Sequence, residues 1–378
     1  MKVALLHDWL VRYGGAERVL TTFYTMFPDA PIYFLFARRE LIASFFPRAE
    51  IRGSFLDAVP GIFKKNHRFL LPFFPQAVES IDLSEFDLVI SSSSTFIKGV
   101  ITRPLTVHIS YIHTPPRFLW DWKNEYQQGL GGIKRFISEP VFHYVRGWDV
   151  SAAARPDHLI ANSKTTEARI KKYYRRESTV IYPPVSLANL KSQIANRSDM
   201  RRAIRNKQYF LVVSQLVPHK RIDLAIYAFN ELRMPLLIIG EGPDRKKLEG
   251  LAGPTITFLG RQPDGALQEF YRNAQGVIFP GEDDFGIVPV EAMSFGKPVL
   301  AYRRGGATES MIEGITGEFF DEPTFASLLA GLEKLIKRKN TYDGSIIRKR
   351  AEEFSETQFK KNIEDFVVRV TGNVENIV

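Results

Sequence analysis

The chain has 378 residues, 44% hydrophobic and 25% charged, with a formal charge of +9 and no cysteine. That length exceeds what one hydrophobic core usually organises, so two soluble domains are expected. The lack of cysteine excludes disulfides and thiolate metal sites and suits a reducing cytoplasm. The charge is uneven: residues 1–185 hold 24 Lys and Arg against 17 Asp and Glu, whereas residues 186–378 hold 27 against 25. The first half is therefore expected to meet an anionic partner, a membrane surface or a phosphorylated acceptor. Nucleic acid is disfavoured, because no reading module or Cys/His finger is present.

Residues 2–6 read as a first strand, ended by the polar pair His7-Asp8. Four apolar residues are too few for a signal-peptide core, and no run of eighteen apolar residues offers a membrane span. Gly14-Gly15 precede a helix over 17–26. Paired glycines permit positive φ and a close approach of backbone to a phosphate or sugar hydroxyl, and a plain structural turn fits them too. Further strands are expected at 32–36, 88–90, 107–111 and 158–161, several too apolar to be half solvated, with a helix at 165–174. Between them, residues 64–75 mix Lys64, Lys65 and Arg68 with an aromatic run. That pattern suits an anionic membrane interface, or equally a core bordered by solvated cations. His113 follows the strand 107–111, and Pro115-Pro116 fix the loop so that the histidine sits at a rigid sheet rim. Arg117 has two available partners, a phosphate or Asp121.

Pro183-Pro184 close this series, and a polar stretch over 187–208 precedes a second, which places the hinge near 183–190. The second series has strands at 209–214, 236–240, 255–259, 277–279 and 299–302, with a helix over 222–232. Beyond Phe319 the chain is expected to be helical, ending in a helix from 355 to about 371. Two βαβ series imply an α/β protein of two doubly wound Rossmann-like domains. The domains are set at 1–185 and 186–354.

The most informative segment runs from Pro280 to Glu291. An acidic turn, Glu282-Asp283-Asp284, leads through Phe285, Gly286, Ile287 and Val288 into a helix. The free N–H groups of that helix start, with the positive end of its dipole, make an anion cradle. Asp283 would sit at the loop mouth, and Glu291, one turn into the helix, could accept hydrogen bonds from ribose hydroxyls. Gln215, Lys220 and Arg221 follow the first strand of this half, where the basic pair also fits a solvated cap of the next helix. Asp283 and Asp284 are adjacent, so their side chains should diverge, and no Asp-x-Asp metal pair is apparent.

Taken with 292–299 and Gly305-Gly306, this segment resembles the donor half of family 4 glycosyltransferases. The segment Tyr111-Ile112-His113-Thr114-Pro115 resembles that of bacterial surface-polysaccharide mannosyltransferases in the same family. The resemblance spans nearly the whole chain, strongest over 209–320 and 107–121. It implies the GT-B architecture, with the two doubly wound Rossmann-like domains facing a central cleft and the last helix, within 355–378, returning to the first domain. It implies that Gly14 and Gly15 close over the donor diphosphate and that His113 lies beside the transferred sugar. Lys220 would stabilise the departing diphosphate, and the segment around Gly260-Arg261 would meet the nucleobase. Asp283 with the backbone of 285–288 would hold sugar hydroxyls. The family usually has arginine where Gln215 stands and glutamate where Asp283 stands; Gln215 is still expected at the donor, with Arg221 or Arg117 supplying its phosphates with the charge that Gln215 lacks. The implied activity is metal-free hexose transfer with retained configuration, mannose from GDP-mannose to a lipid-linked or oligosaccharide acceptor. No cofactor is needed beyond the nucleotide sugar, and a peripheral place at the inner membrane face is expected. A non-catalytic sugar-nucleotide-binding subunit and a sugar-nucleotide 2-epimerase are the alternatives.

Overall fold

A computed structural model describes residues 1–59, 67–121, 132–186 and 208–372. Backbone contacts divide the chain into two units, Met1–Pro184 with Phe359–Val378, and Val185–Gln358. The hinge expected near 183–190 is described only to residue 186, and the polar stretch after it, like Lys64 and Lys65, lies outside the described residues up to 207.

The first unit is built on a seven-stranded parallel sheet in the order β3-β2-β1-β4-β5-β6-β7. Its strands are β1 (Val3–Leu10), β2 (Ile32–Ala37), β3 (Ile51–Gly53), β4 (Leu88–Ser93), β5 (Val107–Ile112), β6 (His158–Ala161) and β7 (Thr179–Val180). Strand periodicity sorts neighbouring side chains to opposite faces. Leu5 and Phe34 face a core closed by Val19, Leu20 and Phe23 of the helix Gly15–Met26. Ala4, Leu6 and Leu35 face another, filled by Phe74, Ala77 and Val145. Phe359, Ile363, Phe366 and Val367 of the last helix, Glu356–Thr371, belong to the first of these cores.

Two strands run further than expected. β1 continues through His7 and Asp8 to Leu10, and β4 continues through Ser91 to Ser93. These polar residues are buried, and partners make burial tolerable for all but the Ser93 hydroxyl. The Asp8 carboxylate accepts four backbone N–H groups, from Ser94 (2.6 Å), Thr95 (2.9 Å), Phe96 (2.7 Å) and Ile97 (2.8 Å).

The second unit carries a six-stranded parallel sheet in the order β10-β9-β8-β11-β12-β13. Its strands are β8 (Phe210–Val213), β9 (Leu236–Ile239), β10 (Ile256–Gly260), β11 (Gly276–Phe279), β12 (Val299–Tyr302) and β13 (Gly317–Phe320). One face packs against the helices Ile222–Leu232 and Phe325–Lys337. β13 is a strand absent from the expected series, and beyond it the described chain is helical, as expected. It holds a fully buried Glu318 that breaks the apolar signal, held by Arg338 (2.8 Å), Lys334 (2.6 Å) and the Tyr342 hydroxyl (2.8 Å). Among the described residues no helix is long and apolar enough to cross a membrane. In the aromatic run after Lys65, Leu70 and Phe74 are core residues while Phe73 is 51% exposed.

Candidate functional site

In each sheet the order reverses beside the first strand, between β1 and β4 in one unit and between β8 and β11 in the other. Open parallel sheets bind ligands beyond the carboxyl ends of the strands at such a reversal, where neighbouring loops diverge. In the second unit Lys220 lies in a 3-10 turn, Pro218–Lys220, after β8, and Asp283 lies in the loop after β11. The topology therefore brings the two to the same place, and Lys220 Nζ forms an ion pair with Asp283 Oδ1. Both side chains are partly exposed, 15% and 27%. Phe279 lies under the ammonium, 5.9 Å from ring centroid to Nζ.

The acidic turn is braced from behind. Gly306 N–H donates to Asp283 O (3.0 Å), and Gly305 adopts φ +64° so closely against that carbonyl that a Cβ would collide with it. The turn ends at Gly286 (φ +80°), the N-cap of the helix Ile287–Ser294, which has no side-chain cap. The N–H groups of Ile287 and Val288 thus open the helix without a capping side chain, and Pro289, in the first turn, has no N–H to offer. Phe285 is buried against Phe354, with centroids 5.6 Å apart. Glu291 lies one turn in and is nearly buried. One of its oxygens accepts from the Tyr271 hydroxyl (2.8 Å), and Tyr271 stacks on Phe295.

Other expected donor residues are placed differently. Gln215 and Arg261 are exposed loop residues. Arg221 adopts φ +49° and directs its guanidinium to Asp223 (Nε 3.2 Å, Nη2 3.1 Å) and Pro323 O (3.1 Å), anchoring its own helix. Gly260 has φ +66° and accepts from Gly240 N–H (3.0 Å). In the first unit, Asp121 is paired with Arg169 (3.0 Å) and the Tyr173 hydroxyl.

Gly14 lies between β1 and its helix and Gly15 is the first residue of that helix, and neither has the positive φ expected of them. Gly14 is extended (φ −153°, ψ −155°) because it is the N-cap of a capping box, its N–H donating to Glu17 Oε2 (2.9 Å). His113 directly follows β5 and is 8% exposed. Its Nε2 lies 2.8 Å from Ser92 Oγ, and Ser92 Oγ lies 3.1 Å from His7 Nδ1. Sequence reasoning missed Tyr271, His7, Ser92 and Glu17. The spacing of Gly14 and Glu17 could have disclosed the capping box, whereas Ser92 gives no signal outside the fold.

Burial pushes His113 down to about 3, and it pushes His108 down to about 3 as well. Both are neutral at pH 7. The unfolded chain takes up protons below about pH 6.5, and the folded chain does so only near 3, so stability falls between those limits as pH drops. The slope is about 1.4 kcal/mol per pH unit per histidine. Urea midpoints between pH 7 and 5 should therefore fall less steeply in His108→Gln, and equal slopes would contradict this assignment.

The family model for Glycosyltransferase Family 4 matches residues 13–189, and that for Glycosyl transferases group 1 matches residues 196–356. With two parallel Rossmann-like sheets the fold is of the GT-B class. The chain belongs to the family 4 glycosyltransferases. Among curated relatives, an uncharacterized glycosyltransferase of Methanocaldococcus jannaschii is 29% identical over 44% of this chain and 46% of its own length. The chain thus spans about half of that relative. Human alpha-1,3/1,6-mannosyltransferase ALG2 is 24% identical over 75% of this chain and 66% of its own length. A GDP-mannose-dependent alpha-(1-6)-phosphatidylinositol monomannoside mannosyltransferase of Mycolicibacterium smegmatis is 28% identical over 50% and 58%. Of solved structures, Anabaena Alr3699/HepE with UDP superposes with a TM-score of 0.71 at 17% identity, covering 98% of this chain and 100% of that one. Sucrose-phosphate synthase of Thermosynechococcus elongatus gives 0.72 at 16%, with the same coverage. At those identities the structural likeness speaks for the fold alone.

Proposed function

We propose that the protein is a retaining, metal-independent hexosyltransferase that moves mannose from GDP-mannose to a lipid-linked or oligosaccharide acceptor. The observation that carries this reading is the meeting of Lys220 and Asp283 at the strand reversal of the second unit, beside the uncapped helix start that leads to Glu291. An ammonium and a helix N-terminus together suit a diphosphate, whose negative charge grows as the glycosidic bond breaks. In this reading Asp283 holds sugar hydroxyls and Glu291 the ribose. His113 stands at the end of β5, where it serves the transferred sugar, and the leaving phosphate helps take the acceptor proton. The mannosyltransferase relatives support the choice of donor, and the basic first half supports an anionic or membrane-borne acceptor at the inner membrane face.

A panel of GDP-, UDP- and ADP-sugars tests this by thermal shift and by product formation. GDP-mannose should raise the melting temperature most, because a ligand of the native state stabilises it by mass action. Stabilisation by a UDP-sugar alone would remove the mannose assignment. Binding without turnover would favour a non-catalytic subunit, and an isomerised nucleotide sugar a 2-epimerase.

A further inference from the structure

Four buried polar groups of the first unit form a line from the turn after β1 to the end of β5. Glu17 Oε2 accepts the Gly14 N–H at 2.9 Å, and Glu17 Oε1 lies 3.8 Å from His7 Nε2. His7 Nδ1 is 3.1 Å from Ser92 Oγ, which is 2.8 Å from His113 Nε2. Glu17, His7, Ser92 and His113 are between 0% and 8% exposed, so bulk water does not randomise their hydrogen bonds. Among the described residues the hydrogen bond of the His113 ring is the one at Nε2, on the side away from Nδ1.

Proton counting gives this line a direction. A neutral imidazole has one donor and one acceptor nitrogen, and a serine hydroxyl has a single proton to donate. Ser92 therefore donates to one histidine and accepts from the other. The Glu17 carboxylate settles which. At 3.8 Å it is too far for a hydrogen bond, but it favours an N–H on His7 Nε2 and disfavours a lone pair there. His7 Nδ1 then accepts from Ser92, and Ser92 Oγ accepts from His113 Nε2–H.

We propose that Glu17, acting through His7 and Ser92, holds His113 in its Nε2–H tautomer, so that Nδ1 stands as acceptor for a hydroxyl of the transferred sugar. The acceptor role rests on the hexosyltransferase reading, whereas the tautomer does not. Glu17, His7 and Ser92 are positioning residues, comparable to the outer partners that fix the ring of a histidine ligand or general base. The opposite tautomer would present an N–H and would demand a lone pair from the sugar oxygen.

Two-bond proton–nitrogen spectra of protein labelled with 15N-histidine read the tautomer directly, with His113 assigned by the signals lost in His113→Asn. The wild type should show the Nε2–H pattern at neutral pH. Ser92→Ala and Glu17→Gln should shift His113 toward a tautomer mixture and lower sugar transfer about 10- to 100-fold, the usual loss when a ring-orienting partner is removed. Ser92→Thr, which keeps the hydroxyl, should keep the wild-type pattern and recover most of the transfer. An Nδ1–H pattern in the wild type overturns the proposal, as does a pattern unmoved in both variants. If the patterns behave as stated but the wild type transfers no sugar from any GDP-, UDP- or ADP-sugar, the acceptor role falls and the relay stands.

Discussion

Replacing Lys220 by alanine should lower sugar transfer about 100- to 1000-fold while leaving the melting temperature nearly unchanged. The size follows from the role. An ammonium facing the departing diphosphate stabilises charge that develops in the transition state, and removing one such donor typically costs that factor. The fold should survive because Lys220 lies in a 3-10 turn outside the sheet, and Asp283 keeps contact with solvent, so losing the ion pair leaves no fully buried charge. Lys220→Arg should rescue only partly, because a planar fork cannot take the place of a compact ammonium. Initial rates with a preferred nucleotide sugar check this, and near-normal turnover in Lys220→Ala would refute the role.

Asp8→Ala should destabilise the protein by about 4 kcal/mol or more. Its carboxylate is 2% exposed and satisfies four consecutive backbone N–H groups, from Ser94 to Ile97, where β4 turns into the short 3-10 helix Ile97–Gly99. Each buried N–H left unmade costs about 1–3 kcal/mol, and a methyl group can take none of them. Asp8→Asn should be intermediate, because one of its two groups is an amide NH2 that opposes the N–H groups it would face. Urea denaturation measures both, and a loss below about 1 kcal/mol for Asp8→Ala would mean that water or a shifted loop can replace the carboxylate.

The same residue shows where sequence reading stops. Apolar runs such as residues 299–302 and the helix 222–232 were legible to the residue, because burial on both strand faces and helical periodicity leave a local trace. Asp8, Ser91 and Ser92 were read as strand ends because their partners lie more than fifteen positions away, and polar residues become tolerable in a strand only through such partners. Glu318 hid β13 for the same reason. The acidic turn and Lys220 could be singled out by type and spacing, but their contact follows from β8 and β11 being neighbours, which no local pattern states. Gly14-Gly15 suggested positive φ, yet Glu17 had already claimed Gly14 for an extended N-cap. Arg221, expected to serve a phosphate, is tied to Asp223 two positions along.

The central claim is that Lys220 holds a nucleoside diphosphate while Asp283 holds the sugar attached to it. Calorimetric titration of GDP and of GDP-mannose into the wild type, Lys220→Ala and Asp283→Asn separates the two roles. Loss of Lys220 should weaken both ligands about tenfold or more, the equivalent of one charge-assisted hydrogen bond, and loss of the Asp283 carboxylate should weaken GDP-mannose alone. If Lys220→Ala binds GDP as tightly as the wild type, the diphosphate does not lie at Lys220 and the account of this site is wrong.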